Sequence, residues 1–585
     1  MTNVRHYIPV IACWALVVAT VVGNSPSLRQ RIQLAVKNYG RWDSQGFNGM
    51  GDYLQARREA VRSFLPQGES LYFCVPDGKS LASTQRSMHI AMAWEAMPDK
   101  VCYGGTNGIA KADYIVTSVY KGMLPVKDGT FLALNKSDHG SIWGRASIAS
   151  TKPPRQAVLV ARWRELLGLA APCLVMLGGA VAGGWSGLSV GLLLFTLCMA
   201  VPPLLGFAPS FLFVSGSVSC SIMGARLATR QHRQNVAPHP FPLTLNKTII
   251  VGFIGVALFL FYTFLTLSHT FMTPNGLGVF GGKAKLLYLS GGIPPGFFTD
   301  GAWSTLQPAY PPAFALLTLG CYGLAGACGE HLTQLLSCLF IGGSLFFIGV
   351  KMPQRMPLFL PLILWFTAAF LAEQAVWTGI FFYAEPWMLL VLLVAVDAIL
   401  DEADRAEKPS ILPWILLGSC GWIKNEGLIY LPAVWLVMRF IHGASRVPLK
   451  GLACGFILPL AWALFSRLSG ATLYDFAPFW QSDCHQAWLA AKAIAKLALL
   501  EPWRYGFAYP LAIVILAIKP FRIGRVVVGL LVMLANLLAF IYIFSISRAA
   551  DFQWHLDSLE RLLWIPAILF LFIAATSPRG MTPRN

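Results

Sequence analysis

"CGWIKNEGLIY" (420–430) sets Lys424, Asn425 and Glu426 inside an otherwise apolar run that extends from 411 to 441. One membrane span needs about 20 residues and two need about 40. The run is too long for the first and too short for the second. Two short helices meeting near Asn425–Gly427 fit its length. On an unbroken helix, residues two apart face different directions, so Lys424 and Glu426 would each need a separate partner or access to water. A charge inside the bilayer costs about 2.5–3.5 kcal/mol on insertion scales and commonly marks a binding site or polar cavity. An external turn with its charges in water is the other reading of the same residues.

The composition around that run is that of a membrane protein. Of 585 residues, 56% are hydrophobic and 12% charged, with a mean hydropathy of +0.59. A water-soluble globule so composed would expose a large apolar surface. The net charge of +18 is accounted for by Lys and Arg in cytoplasmic loops and near anionic lipid. No basic stripe interleaved with aromatics speaks for nucleic acid. Most of the twelve cysteines lie in apolar spans, where they act as small hydrophobes. No CxxC and no Cys/His cluster has metal-ligand spacing.

The chain divides into four parts. Residues 7–23, "YIPVIACWALVVATVVG", read as a signal anchor, giving a first segment 1–24. Residues 25–157 form the one sizeable polar block, expected outside the membrane as a small α/β domain. Its strands are "ESLYFCV" (69–75) and "ADYIVTSVY" (112–120), and its helix is "STQRSMHIAMAWEAM" (83–97). An exported location would allow a Cys74–Cys102 disulfide. Residues 158–246 hold spans near 166–184, 186–205 and 207–224, then the basic loop "GARLATRQHRQNVAPHPFPLTLNK" (224–247), expected to be cytoplasmic. The remainder, 247–585, holds further spans near 248–268, 310–328, 332–350, 357–376, 386–400, 411–441, 451–468, 506–519, 525–546 and 562–577. Counting loop charge from the two termini gives answers one crossing apart for 310–350, so one run there lies along the membrane or fails to cross. The fold expected is an all-α polytopic membrane protein of about 12–14 transmembrane helices with a small exported α/β domain.

Three polar clusters fall at expected external helix ends. The first is 424–426. The second is "AWLAAKAIAKLALLEPWRY" (487–505), where Lys492 and Lys496 stand one turn apart above an apolar face, an interfacial amphipathic pattern with basic groups at headgroup depth; Arg504 follows. The third, 550–564, carries His555, Asp557 and Arg561 at the mouth of the last span; an Arg there suits an anionic phosphate. Membrane anchoring and interfacial capping account for the second and third equally simply. The loop 269–309 is crowded with Gly, Pro and aromatics and too apolar to float free; it is expected to pack on the membrane surface and line a cavity. Together these describe a basic cavity in which Lys424, Lys492, Arg504 and Arg561 grip the phosphate of a lipid carrier.

In order, "KAKLLYLSGG" (283–292), "PAYPP" (308–312), "YAEP" (383–386), "KNEG" (424–427) and "WHLDSLERLL" (554–563) resemble the GT-C superfamily of integral-membrane glycosyltransferases, in the protein O-mannosyltransferase and aminoarabinose-transferase branch. The resemblance covers about 250–577. It implies transfer of a sugar from a polyprenyl-phosphate donor to an acceptor outside a bacterial-type inner membrane, by an inverting single displacement. No cofactor is implied with certainty, and some relatives use a divalent metal. It implies substrate-binding roles for Lys283, Tyr310, Lys424, Asn425, Glu426, Lys492, Arg504, His555 and Arg561. The family's catalytic Asp, eight residues before the Lys matched by Lys283, is Asn275 here. A second acidic position is Ala309, and the usual "YAD" is "YAE", which keeps an acid at Glu385. A general base must accept the acceptor hydroxyl's proton, which an amide does poorly. Asp300 or Glu385 would then carry that role, with Asn275 positioning substrate. A non-catalytic relative that binds lipid-linked sugar or assists a partner is the second reading. A lipid-sugar transporter or flippase is the third, and no paired inverted repeat of broken helices supports it.

Overall fold

The computed structural model describes residues 4–38, five strand segments between 71 and 145, residues 162–235 and 245–267 and, with short breaks, 279–576. Among them, seven helices are long and apolar enough to cross a membrane: Val10–Gln30, Leu167–Leu205, Phe211–Arg230, Ile249–Thr266, Leu449–Leu468, Arg525–Ser545 and Ser558–Thr576. The arrangement explains their composition. Helix Trp564–Thr576 is buried from Trp564 through Ile573, as is Ala313–Ala325 over its whole length; both are hydrophobic all round, as interior helices must be. The peripheral helices are apolar too, but they present Phe253, Phe440, Leu464 and Leu468 outward. Large side chains displayed so widely need a hydrocarbon solvent. The chain is a multi-pass membrane protein.

Helix Arg162–Leu205 breaks at Gly183 and at Gly184, whose φ of +62° is in the left-handed region that glycine enters without a Cβ clash. Gly179 meets Gly187 and Val175 meets Gly191, pairs equidistant from the break, so the halves run antiparallel as the two spans expected at 166–184 and 186–205. Helix Glu385–Arg405 gives the bundle its axis. Its 21 residues rise about 32 Å, near the thickness of a bilayer core. Glu385 marks one end and the acidic residues Asp397, Asp401 and Asp404 approach the other.

Those two ends locate the ambiguous stretch at 310–350. Tyr310, just before helix Ala313–Ala325, bonds to Glu426 at the Glu385 end. Ser337, in the first turn of the next helix, Leu335–Lys351, bonds to the Tyr383 carbonyl at that same end. Lys351 closes that helix on Asp397 and Asp401. Helix Ala313–Ala325 therefore starts and finishes at the Glu385 end and is the run that does not cross. Its 13 residues rise only about 20 Å.

The run 411–441 is two helices, Leu412–Ile423 and Tyr430–His442, joined by a 3-10 turn at Asn425–Ile429. Lys424 is extended between them. Gly427 packs on the Cys420 backbone so closely that a Cβ there would collide with it. Trp414 and Met438 line one small cavity with Ile399 and Glu402, so both helices reach back toward the Asp397 end. At 12 and 13 residues they rise about 18 and 20 Å, less than a full crossing. The turn with Lys424 and Glu426 stands within the bundle.

Two expectations change near the N-terminus. The anchor helix does not stop near residue 23 but runs Val4–Asn38, into what was expected to be the external domain. Polar side chains bond locally rather than breaking it: Asn24 donates to the Thr20 carbonyl and Ser25 to that of Val22. Between 71 and 145 the described residues are five strands in the order β2-β1-β3-β5-β4, where β1 is Leu71–Cys74, β2 Val101–Gly104, β3 Tyr114–Ser118, β4 Phe131–Ser137 and β5 Gly140–Arg145. The helix expected at 83–97 lies outside the described residues, so an α/β domain at 25–157 is not supported beyond this sheet. Strands β1 and β2 pair in parallel with Tyr72 opposite Cys102 and Cys74 opposite Gly104. Cys74 and Cys102 therefore stand two residues out of register on neighbouring strands.

Candidate functional site

Glu385 begins its helix fully buried, where the positive end of the helix dipole favours a carboxylate. That alone does not compensate a buried charge. Two cations do so from distant parts of the chain. Lys424 Nζ donates to Glu385 Oε1 at 2.8 Å, and Arg561 Nε stands 2.6 Å from the same oxygen, a charge contact without hydrogen-bond geometry. Lys424 is extended at the break of its helix pair, which frees its side chain to reach across. Arg561 comes from the short helix Phe552–Leu562, and its guanidinium lies over the Tyr383 ring, 4.0 Å from the centroid, a cation–π contact. The second carboxylate oxygen, Glu385 Oε2, is buried with no hydrogen-bond partner.

A second carboxylate extends the network. Glu426 Oε1 lies 3.0 Å from Lys424 Nζ, and its Oε2 accepts from the Tyr310 hydroxyl at 2.9 Å. The helix break is what lets residues two apart share one interaction. Tyr310 is held in turn by its own carbonyl, which accepts from Lys283 Nζ at 2.9 Å; the same ammonium donates to the Gln307 carbonyl at 3.1 Å. Gln307 has φ +45°, an uncommon region for a residue with a side chain, and the Lys283 bonds help fix it. Lys283 opens the short helix Lys283–Leu289, between the longer apolar helices. Burial pushes its ammonium down to about 7, because desolvation disfavours the charged form.

Five separated segments thus meet: Lys283, Tyr310, Tyr383 with Glu385, Lys424 with Glu426, and Arg561. Two carboxylates face two cations, a balanced charge set in which each cation is already engaged. Such a site can hold an anion if it displaces a carboxylate from Lys424 or Arg561. It can also accept a hydrogen-bond donor at Glu385 Oε2.

The other expected residues stand elsewhere. Lys283 is turned into loop carbonyls, not toward open space. Arg504 is held by Glu501 at 2.6 Å and Glu560 at 2.7 Å and makes no contact with the Glu385 network. Lys492 is exposed, because its helix buries the opposite face, Gln486, Ala490 and Ile494. The expected convergence of four cations is therefore corrected to two, Lys424 and Arg561. Asn425 is exposed on the turn. Asp300 lies in the loop that packs Phe298 on Trp462 and Phe465; its backbone bonds to Gly296 and Trp303, and no contact joins it to Glu385. Asn275 lies outside the described residues, as do the side chains of His555 and Asp557. Among the described residues, no group of three or more His, Cys, Asp or Glu is placed to hold a metal ion.

Sequence reasoning missed Tyr383 as a partner of Arg561. The signal was an aromatic two residues before a buried acid, in "YAEP". It also missed Glu501 and Glu560 as neutralisers of Arg504. Comparison with family models, curated proteins and solved structures gives no match.

Proposed function

We propose that this chain is a membrane glycosyltransferase of the GT-C type, with about 12–14 transmembrane helices, moving a sugar from a polyprenyl-phosphate donor to an acceptor at the Glu385 end of the bundle. That end would be the external face of a bacterial-type inner membrane, the side on which residues 25–157 would form the added α/β domain. One observation carries the reading. Residues of "KAKLLYLSGG", "PAYPP", "YAEP", "KNEG" and "WHLDSLERLL" come together through Lys283, Tyr310, Glu385, Lys424, Glu426 and Arg561. Motifs spread over nearly half the chain thus supply one connected network. The donor's leaving phosphate would take Lys424 and Arg561 from Glu385, gaining electrostatic stabilisation in a water-poor site. Glu385, relieved of its partners, or Asp300, brought in from the loop, would accept the acceptor's proton. Asn275 would position substrate.

A non-catalytic relative that binds the lipid-linked sugar is the second reading. It is favoured by Asn275 and Ala309 in place of acids and by the complete neutralisation of Lys424 and Arg561. A radiolabelled polyprenyl-phosphate sugar supplied to membranes containing the chain separates the two, with and without added divalent cation. Turnover in the native chain that is lost in Asp300→Ala supports the transferase. No turnover in the native chain, but turnover in Asn275→Asp, supports the binder; no turnover in either overturns the transferase, and failure of the native chain to retain the labelled donor overturns the binder.

A further inference from the structure

Helix Cys484–Ala495 and the π-helical turn Lys496–Leu500 that continues it use one face to pack and leave the other open. Gln486, Ala490, Ile494, Leu497 and Ala498 are buried. On the opposite face His485, Trp488, Lys492, Lys496 and Leu499 follow one another at three- or four-residue steps, all exposed, with Trp488 66% open. Residues at that spacing form one stripe. Arg504, in the same segment, is bracketed by Glu501 and Glu560. By contrast, no carboxylate stands within ion-pairing distance of Lys492 or Lys496 among the described residues.

Both ends of the segment are tied to the Glu385 end of the bundle. Asp483 N–H bonds to the Ser545 carbonyl, at the far end of a helix whose other terminus, Arg525, pairs with Asp401 and Asp404. Arg504 pairs with Glu560, the neighbour of Arg561. Both tethers place the segment at that end of the bundle, where in a bilayer hydrocarbon would give way to headgroups. A Trp flanked by Lys on one face is what that boundary favours.

We propose that the stripe His485–Trp488–Lys492–Lys496–Leu499 docks anionic phospholipid headgroups of the leaflet at the Glu385 end. Trp488 and Leu499 enter the acyl boundary while Lys492 and Lys496 meet the phosphates. Charge complementarity selects this occupant: two unneutralised ammonium groups beside an apolar wedge fit an anionic lipid surface. The inference uses no step of the sugar-transfer reading and stands or falls apart from it.

The test reconstitutes the full chain in nanodiscs containing brominated phosphatidylglycerol or brominated phosphatidylcholine. The Trp488 contribution is isolated by subtracting a Trp488→Phe variant. Each lysine at an anionic surface strengthens association about fivefold. Quenching of Trp488 should therefore be markedly greater with the brominated anionic lipid at low salt. That preference should vanish in Lys492→Gln/Lys496→Gln, and it should shrink for the native chain in high salt. Equal quenching by both lipids would overturn the proposal in favour of lipid contact without headgroup selection. No quenching by either would overturn it in favour of water or a protein partner on that face.

Discussion

Helix Glu385–Arg405 carries an ionic network at each end, and the two are built on different principles. At one end Glu385 is fully buried, and Lys424 beside it has a side chain only 3% exposed. At the other, Lys351 and Arg525 hold Asp397, Asp401 and Asp404, with about a quarter of the Asp401 and Asp404 side chains open. The Asp397 end answers a local need. Acids in the last turns of a helix oppose its dipole, and cations from two neighbouring helices offset them in partly wet surroundings. The Glu385 end has no such need, since an acid at a helix start is already favourable. There the chain takes Glu385 and Lys424 out of water, with Arg561 largely buried beside them and Glu426 still about a fifth open, and leaves Glu385 Oε2 without a partner. Burying ions is a poor route to stability. At the other end Asp397 is buried too, but its carboxylate and its neighbours are paired with Lys351 and Arg525. An expensive, incompletely satisfied network points to use, and a satisfied one to structure.

The difference can be broken most directly at Glu385. In Glu385→Gln, Lys424 keeps Glu426, but Arg561 loses the one carboxylate it pairs with among the described residues. Removing one member of a buried ionic set costs about 3–5 kcal/mol. Thermal unfolding of the detergent-purified chain should show the largest loss here of any single charge change in either network. The loss should be nearly insensitive to salt, because buried pairs are little screened. A double change that also removes Arg561, Glu385→Gln/Arg561→Gln, should recover part of the loss. No recovery would mean that the two groups are not energetically coupled.

Lys283 sharpens the same contrast through pH. Its ammonium titrates at about 7 in the folded chain, against 10.5 for the free side chain. Between those values the unfolded chain binds a proton that the folded chain does not, so unfolding free energy rises with pH across that window. The slope from this one group is at most about 1.4 kcal/mol per pH unit, and it disappears below about pH 7, where both states are protonated. Stability curves for native protein and Lys283→Met should therefore differ in slope between pH 7 and 10, with the native curve climbing more steeply. Parallel curves would show that Lys283 keeps its ordinary ionisation.

How much of this was legible in the sequence follows from how local each signal is. The helix pair at 412–442 could be read because its length and its internal charges are facts about one stretch. The spans at 166–184 and 186–205 could be read because a glycine pair separates two apolar runs. The non-crossing helix Ala313–Ala325 could be suspected from charge counting but located only through Tyr310–Glu426 and Ser337–Tyr383, contacts across long sequence separations. In the site, Lys424 and Glu426 stood out as charges within an apolar run, whereas Glu385 was marked only through the resemblance carried by "YAEP". Arg504 and Lys492 looked alike in sequence, as basic residues at one helix end. What distinguishes them is the direction each side chain takes, and that depends on which face of the segment the bundle buries. The anchor helix runs past the apolar stretch 7–23 that bounded it in the sequence, because inside the bundle the polar Asn24 finds the Trp503 carbonyl as well as that of Thr20.

The smallest expected effect lies at the Asp397 end and completes the comparison. Arg525 donates to Asp401 and Asp404, both at 2.6 Å, so its geometry is as close as any at the Glu385 end. If distance set the energy, Arg525→Gln would match Glu385→Gln. Solvent sets it instead. The aspartates freed by Arg525→Gln remain hydrated, and Asp401 keeps Lys351, so neither becomes an unpaired buried charge. Partly exposed pairs contribute about 0.2–1 kcal/mol, and relief of the helix dipole adds an amount of similar size. Arg525→Gln should lower stability by about 1 kcal/mol at low ionic strength. Raising salt to about 1 M, where the screening length falls to about 3 Å, should erase most of that difference while leaving the Glu385→Gln deficit in place. Equal salt response at both ends would mean that water reaches Glu385 as freely as it reaches Asp404, and the buried network would lose its claim to be the functional one.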